Sequence, residues 1–150
     1  MTPCPGTYAL VLASDEARGL CIGRLGSLAL RPGWYVYVGS AFGPGGVDAR
    51  LAHHRKRAAR PHWHVDHLRL HTQLERVWYT HDPIRREHQW AQVMRQLPGA
   101  EMPLHGFGSS DCACASHLLR FARRPSLRRF QHEIRARFPE HAPIRPLITA

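Results

Sequence analysis

The sequence lacks long apolar runs, is poor in acidic residues and contains few cysteines. No apolar stretch approaches the roughly 18 residues that a membrane-spanning helix needs, so we expect no membrane span. The short apolar run near the N-terminus is interrupted at residues 14–16 and follows no basic leader, so we interpret it as a strand and not as a signal peptide. The four cysteines are expected to be free or metal-bound, which indicates a cytoplasmic protein.

Acidic residues number 11 against 21 basic ones, which gives a formal net charge of +10. A basic excess of this size attracts polyanions, and nucleic acid is the most common of them. We expect DNA as the partner, although contacts to phosphates alone would suit RNA equally well. Nothing in the sequence indicates a protein partner, and the charge by itself does not distinguish an enzyme from a binding module.

The length and the hydrophobic content suit one globular domain. The chain has 150 residues, and 43% of them are hydrophobic, which is enough for a sizeable core without disulfides or metals. We therefore expect a single domain over residues 1–150, with an irregular, proline-rich tail from about residue 139.

Apolar residues repeat in patterns typical of both strands and helices. Alternation predicts strands at residues 6–12, 20–22, 27–30, 34–38, 76–79 and 116–121. Helical periodicity predicts helices at about 47–60, 63–71, 83–97 and 125–138, the third of them starting at Asp82-Pro83. Glycine-containing turns join the early strands, as in antiparallel sheets. The predicted fold is α/β of the α+β kind, a small, mostly antiparallel central sheet flanked by helices.

The segment from Pro32 to Arg57 holds the densest set of reactive side chains. Alternation along its strand places Tyr35 and Tyr37 on one face. A glycine-rich turn then leads into a basic helix, on which Arg50 and His54 are four residues apart and share one surface. With Tyr8 from the first strand, these groups indicate a candidate site for a phosphate-containing substrate. The alternatives for each residue alone are a core tyrosine, a solvated arginine and a satisfied histidine.

Glu87 falls in the apolar stripe of the third predicted helix, beside Ile84, Trp90 and Met94. A buried carboxylate is costly unless it is paired or binds a metal. One interpretation is a salt bridge to an arginine at the edge of the core. The other is a ligand for Mg²⁺, which often uses one or two protein carboxylates together with water and substrate phosphate.

Cys112, Cys114 and His117 form a second constellation. Thiolates and imidazole suit Zn²⁺, and His64 or Asp66 would be the candidate for a fourth ligand. The alternative is a pair of small buried cysteines beside a strand histidine.

Two tripeptides and several longer strings resemble the GIY-YIG nuclease superfamily. The tripeptides are Gly6-Thr7-Tyr8 and Tyr37-Val38-Gly39, and they are followed by Arg50, His54 and Glu87. The strings YVYVGSAFGPGG, WHVDHL and GFGSSDCACASHL are similar to the Uri-type branch, and the resemblance extends over about residues 6–118. Thr7 and Val38 stand in place of isoleucines, and residues 109–111 are the candidates for the place of the late asparagine of that superfamily.

This resemblance implies an endonuclease that hydrolyses DNA phosphodiester bonds with one Mg²⁺ or Mn²⁺ ion, including single-stranded or branched DNA in repair. Tyr8 would help to activate the attacking water, and Tyr37 would orient the nucleophile or the phosphate. Arg50 would stabilise the transition state, His54 would assist proton transfer, and Glu87 would hold the metal. The rival hypotheses are a non-catalytic nucleic-acid-binding module of the same fold and a zinc-stabilised interaction domain.

Overall fold

The structure is a computed structural model that describes residues 4–57, 60–61, 63–108 and 115–148. In chain order its elements are β1 (Gly6–Ser14), β2 (Arg18–Ile22), β3 (Gly26–Leu30), β4 (Gly33–Ala41), α1 (Gly46–Arg55), α2 (His64–Arg69), β5 (Gln73–Thr80), α3 (Glu87–Gln96), β6 (Leu118–Phe121), α4 (Leu127–Arg137) and β7 (Arg145–Ile148). None of the helices in this part of the chain combines the length and the apolarity that crossing a membrane requires.

Five strands form the main sheet in the order β6-β4-β1-β5-β7, and every pairing in it is antiparallel. The hairpin of β2 and β3 forms a separate two-stranded sheet. The predicted mixed α/β fold around a small antiparallel sheet is therefore confirmed. Strand β1 is central, and Tyr8 on it faces Gly39 of β4 on one side and Tyr79 of β5 on the other.

The sheet separates two apolar layers. Tyr8, Leu10 and Leu12 face the first layer, which also contains the apolar side chains of α1, α2 and the β2–β3 hairpin. Ala9 and Val11 face the second layer, which is built on α3 and α4. The alternation predicted for the first strand and for residues 34–38 is confirmed, since Tyr35 and Tyr37 belong to the first layer and Val36 and Val38 to the second.

Helix α3 begins at Glu87, so the predicted start at Asp82-Pro83 is wrong. The carboxylate of Asp82 accepts the backbone N–H of Ile84 at 2.9 Å and pairs with the buried guanidinium of Arg86 at 3.1 Å. It also accepts the backbone N–H of Ala142 at 2.8 Å, so it ties a turn to the C-terminal segment instead of capping a helix. Ile84 lies in this turn and is 52% exposed, which corrects its assignment to the apolar stripe.

The C-terminal segment contains a strand that the sequence did not predict. Residues 139–144 have no helix or strand, as expected, but Arg145–Ile148 forms β7 and pairs with β5 at the edge of the sheet. Four other elements are shorter than predicted, since α1 ends at Arg55, α2 covers His64–Arg69, β6 begins at Leu118 and α4 covers Leu127–Arg137.

Candidate active site

A polar cavity of about 220 Å³ lies over the paired ends of β1 and β4. It is lined by Tyr8, Tyr37, Gly39, Ser40, Arg50, Trp63, Glu87, His88, Gly108 and His117. Four of the five predicted catalytic residues are therefore part of one cavity wall. The fifth, His54, is buried beneath the wall and contacts Tyr8.

Tyr8 and His54 form a buried hydrogen bond. The phenol oxygen of Tyr8 lies 2.8 Å from Nε2 of His54, and each residue is only 1% exposed. Burial, reinforced by the neighbouring Tyr37, raises the pKa of Tyr8 well above its ordinary value, so the phenol keeps its proton. Burial and the neighbouring His53 lower the pKa of His54 to about 4, so its imidazole is neutral at physiological pH. A neutral imidazole can accept the phenol proton in this hydrogen bond.

Tyr37 lies on β4, next to β1, and its ring packs edge-on against Phe107 and His54. Gly108 passes close to this ring at a φ of +69°, and a Cβ there would lie 2.9 Å from a ring carbon of Tyr37. His64 holds this approach in place, because its Nδ1 accepts the backbone N–H of Gly108 at 2.8 Å. Burial and the negative charge of Glu87 raise the pKa of Tyr37, so this phenol also stays protonated.

The guanidinium of Arg50 is oriented by an aromatic ring. It lies 4.5 Å from the ring centroid of Trp63, which precedes α2. Among the described residues Arg50 forms no ion pair, so its donors are available for an anion in the cavity. The WHVDHL string thus has two roles, since Trp63 lines the cavity and the buried Asp66 accepts the backbone N–H of Trp63 at 2.9 Å.

Glu87 reaches the cavity from the other side of the sheet. The body of α3 packs in the second apolar layer, but Glu87 is its first residue and lines the same cavity as Tyr8 and Tyr37. The backbone N–H of the preceding Arg86 donates to the hydroxyl of Thr7 at 3.2 Å, which fixes the start of the helix to β1. Thr7 is the middle residue of the first tripeptide, so this tripeptide positions both a phenol and the carboxylate.

The surroundings of Glu87 fit a divalent metal ion. In the described part of the chain its carboxylate has no arginine or lysine partner; His117 Nδ1 lies 3.7 Å from one oxygen and His88 Nε2 3.9 Å from the other. The side chain is 21% exposed, so it is partly buried and not fully buried as the sequence indicated. A carboxylate without a fixed cation, facing a polar cavity with space for water and phosphate, is a suitable ligand for Mg²⁺ or Mn²⁺.

The predicted zinc constellation is described only in part. Cys112 and Cys114 lie outside the described residues, as do residues 109–111, the candidates for the late asparagine. His117 is buried at the cavity, where burial lowers its pKa and the charge of Glu87 opposes this effect. Its position next to Glu87 was not predicted, because no spacing rule links a residue before an edge strand to the start of a helix.

His53, His54 and Asp66 form another group of possible metal ligands in the described part of the chain. One ligand atom of each lies within 4.8 Å of the others.

The fold and the cavity define a mixed α/β protein that gathers two phenols, a guanidinium and a carboxylate around one polar site. Residues 7–139 match the sequence model of the family described as "Domain of unknown function DUF123", and the chain belongs to that family. The matched region contains all five predicted catalytic residues. No curated protein and no solved structure matches the chain. The family description assigns no activity, so the resemblance to GIY-YIG nucleases stays a hypothesis.

Proposed function

We propose that the chain is a metal-dependent endonuclease of the GIY-YIG type that hydrolyses DNA phosphodiester bonds. The observation that supports this proposal is the meeting of Tyr8, Tyr37, Arg50 and Glu87 in one polar cavity, although they come from four different elements. Phosphodiester hydrolysis needs a group that accepts a hydrogen bond from water and a cation for the developing charge, and it usually uses a metal ion as well. The cavity contains a candidate for each of these.

Arg50 and Glu87 have different roles at the phosphate, since Arg50 would contact it directly and Glu87 would hold the metal ion. Arg50 donates hydrogen bonds to the non-bridging oxygens, and its contact with Trp63 limits the freedom of the guanidinium before the substrate arrives. Glu87, with His117 beside it, would hold Mg²⁺ or Mn²⁺. When bound, the ion supplies positive charge for the pentacoordinate transition state and for the departing oxygen.

Tyr8 orients the attacking water through its hydrogen bond to His54. Because His54 is neutral, it accepts the phenol proton, and the lone pairs of the phenol oxygen then point toward the cavity. The water donates one hydrogen bond to that oxygen and aims its own lone pair at phosphorus. With a pKa of about 4, His54 is a weak acceptor for the proton that the attacking water loses. Its role is therefore to hold the phenol in this orientation.

Tyr37 supplies a second phenol on the same wall of the cavity. Its raised pKa keeps it protonated, so it acts as a hydrogen-bond donor to a phosphate oxygen or to the water. DNA is the proposed substrate because the chain carries a net charge of +10 and because the cavity presents an unpaired guanidinium in the described part of the structure.

The test is cleavage of supercoiled plasmid and of a single-stranded oligonucleotide in Mg²⁺ or Mn²⁺, by wild type, Glu87→Gln and Arg50→Ala. We expect each substitution to reduce the cleavage rate by about 10²–10³-fold, as does removal of one transition-state donor in other enzymes. Glu87→Gln should retain DNA binding, because it removes a negative charge and no phosphate contact. The matched control is Glu75→Gln, an exposed carboxylate of β5, which should cut as wild type does.

The same experiment separates the rival function. If wild type binds DNA but cuts neither substrate with any divalent metal, the chain is a non-catalytic nucleic-acid-binding module. Equal loss of activity in Glu75→Gln and Glu87→Gln would exclude a specific metal ligand at Glu87.

A further inference from the structure

A second cluster of metal-ligand residues lies next to Tyr8, whose hydroxyl contacts one of its members, His54. It consists of His53 and His54 at the end of α1 and Asp66 in α2, and one ligand atom from each lies within 4.8 Å of the others. Nε2 of His53 contacts Oδ1 of Asp66 at 2.9 Å. Ligands in such contact need only small rotations to admit an ion between them.

His54 provides an independent observation. Its Nε2 is used by Tyr8, but its Nδ1 is buried and has no hydrogen-bond partner among the described residues. A buried imidazole nitrogen without a partner destabilises the fold, because the hydrogen bond to water that it loses on burial is not replaced. A metal ion at Nδ1 would remove this cost, because the ring proton then moves to Nε2 and the lone pair that this leaves on Nδ1 binds the metal.

The surroundings hold two of the three ligands in fixed positions. Oδ2 of Asp66 accepts the backbone N–H of Trp63 at 2.9 Å, which leaves Oδ1 directed at the cluster. The backbone carbonyl of His54 accepts the guanidinium of Arg69 at 2.9 Å, which joins the end of α1 to α2. Metal-ligating residues are usually oriented by outer hydrogen bonds of this kind. The side chain of His53 is 35% exposed and provides access from solvent.

We propose that His53, His54 and Asp66 form a binding site for Zn²⁺ or a similar transition-metal ion, with water as the fourth ligand. Two imidazole nitrogens and one carboxylate oxygen are a ligand set that suits Zn²⁺ and is poor for Mg²⁺. Its three ligands include neither Glu87 nor His117.

Occupancy of this site reverses the hydrogen bond between His54 and Tyr8, and this second step rests on the proposed nuclease function. A metal on Nδ1 requires the ring proton on Nε2, so His54 becomes the donor and the phenol oxygen becomes the acceptor. The hydroxyl proton of Tyr8 then points into the cavity and no longer leaves a lone pair for the attacking water. Zn²⁺ is therefore an inhibitor of the cleavage reaction.

Binding is tested with Co²⁺ and Zn²⁺ on the full chain carrying Cys112→Ser and Cys114→Ser, so that thiolates of that constellation cannot contribute. We expect one equivalent of Co²⁺ with visible d–d absorption, competed off by Zn²⁺. His53→Gln and Asp66→Asn should each weaken the affinity at least about 10-fold, and the matched control His132→Gln on α4 should not. Thermal unfolding of each variant verifies that it is folded, and the half-exposed His53→Gln keeps the test valid should Asp66→Asn unfold.

The ring nitrogens report the reversal without any activity measurement. Nitrogen-15 NMR of the histidine side chains should place the proton of His54 on Nδ1 without metal and on Nε2 with one equivalent of Zn²⁺. Absent binding, or binding unchanged in His53→Gln, overturns the site. Binding by the unsubstituted chain that is lost in the chain with Cys112→Ser and Cys114→Ser assigns the metal to those cysteines instead.

The cleavage measurement separates the two proposals. If wild type cuts DNA, Zn²⁺ should inhibit the cleavage. The Zn²⁺ concentration that halves the cleavage rate should be at least about 10-fold higher for His53→Gln than for wild type. If the protein cuts no DNA but still binds Co²⁺ in the way described, the metal site stands and the nuclease function fails. Equal inhibition of wild type and His53→Gln overturns the coupling to Tyr8.

Discussion

The phenol of Tyr8 lies directly over Gly39, its partner across the β1–β4 pair. A Cβ added to Gly39 would lie 2.6 Å from both the hydroxyl oxygen and the adjacent ring carbon of Tyr8, closer than real side chains approach. No positive φ is involved at this glycine. Gly39 is therefore needed because a residue without a side chain lets the ring of Tyr8 approach this closely. The glycine of the second tripeptide thus makes room for the tyrosine of the first.

The first prediction is that Gly39→Ala displaces the ring of Tyr8 and breaks its hydrogen bond to His54. We expect destabilisation of about 1–3 kcal/mol from overpacking. Cleavage should fall about 10²-fold, because a displacement near 1 Å is enough to misalign a reacting group. Chemical denaturation and kcat/KM measure the two effects.

Gly19→Ala is the matched control for this substitution. Gly19 also lies in a strand, but no heavy atom is found within 4 Å of the position of its Cβ. Alanine there should leave activity unchanged and stabilise the protein by up to about 1 kcal/mol, because it restricts the unfolded chain. A Gly39→Ala protein as active as Gly19→Ala would contradict the assigned position of Tyr8.

The second prediction concerns Thr7, whose hydroxyl accepts the N–H of Arg86 next to Glu87. Thr7→Val keeps the shape but leaves that buried N–H without its acceptor, which costs about 1–3 kcal/mol. Because the start of α3 loosens, the Mn²⁺ affinity of Glu87 should fall about 10-fold, as when an outer hydrogen bond of a metal ligand is lost. Electron paramagnetic resonance of free and bound Mn²⁺ measures this affinity.

Thr72→Val distinguishes a general loss of stability from the positioning of Glu87. The hydroxyl of Thr72 is also buried and donates to the carbonyl of Leu68 at 3.1 Å, but it is not part of the cavity. Both threonine variants should be less stable than wild type, and Thr7→Val alone should bind Mn²⁺ more weakly. The same Mn²⁺ affinity in the two variants would show that Thr7 does not position Glu87.

The third prediction is a loss of stability in weak acid that depends on His54. Its pKa is lowered to about 4 by burial and by His53, whereas an unfolded histidine titrates near 6.5. The unfolded state therefore binds a proton first as the pH falls, and the free energy of unfolding decreases between about pH 6.5 and pH 4. The difference between the two pKa values corresponds to about 3 kcal/mol.

His54→Gln isolates this contribution, because glutamine can still accept the hydrogen bond of Tyr8. Burial also lowers the pKa of His64, His117 and His141, so both proteins should lose stability in acid. Wild type should lose up to about 3 kcal/mol more than His54→Gln between pH 7 and pH 4. Urea denaturation at a series of pH values measures the difference, and parallel curves would mean that the pKa of His54 is not lowered in the folded protein.

The sequence was sufficient to place Tyr8 and Tyr37 in one layer, because side chains of a strand alternate strictly between faces. It was also sufficient for the helical faces of Arg50 and His54, since residues four apart share a surface. These relations are local. Each depends on one element, and the structure places all four residues at or directly beneath one cavity.

Relations between distant elements could not be read in this way. Asp82-Pro83 has the pattern of a helix start, but a buried pair with Arg86 uses the carboxylate instead, so tertiary structure overrides the local signal. Strand β7 has four residues with Pro146 among them, a pattern that predicts no strand, yet proline is tolerated at the edge of a sheet. The contact of His117 with Glu87 likewise depends on how α3 and β6 pack.

The last prediction concerns a basic groove of about 440 Å³ on the face of the sheet opposite the cavity. Arg76, Arg124 and Arg128 line it, and Trp78 of the second apolar layer forms part of its wall. Within the described ranges none of these three arginines forms an ion pair. Their charges are therefore available to the phosphates of a long DNA substrate.

Two other arginines of α4, the helix that contains Arg128, provide the matched control. Arg129 and Arg137 both lie within 4.0 Å of the carboxylate of Glu133, at 3.6 Å and 3.9 Å, so their charges are partly neutralised. Arg124→Ala with Arg128→Ala should weaken binding of a labelled duplex and reduce the slope of log affinity against log salt by about 2, one for each lost phosphate contact. Arg129→Ala with Arg137→Ala removes the same formal charge and should change the slope less. Fluorescence anisotropy over a salt series measures both pairs, and equal slopes would mean that DNA responds to the total charge of the protein and does not contact this groove.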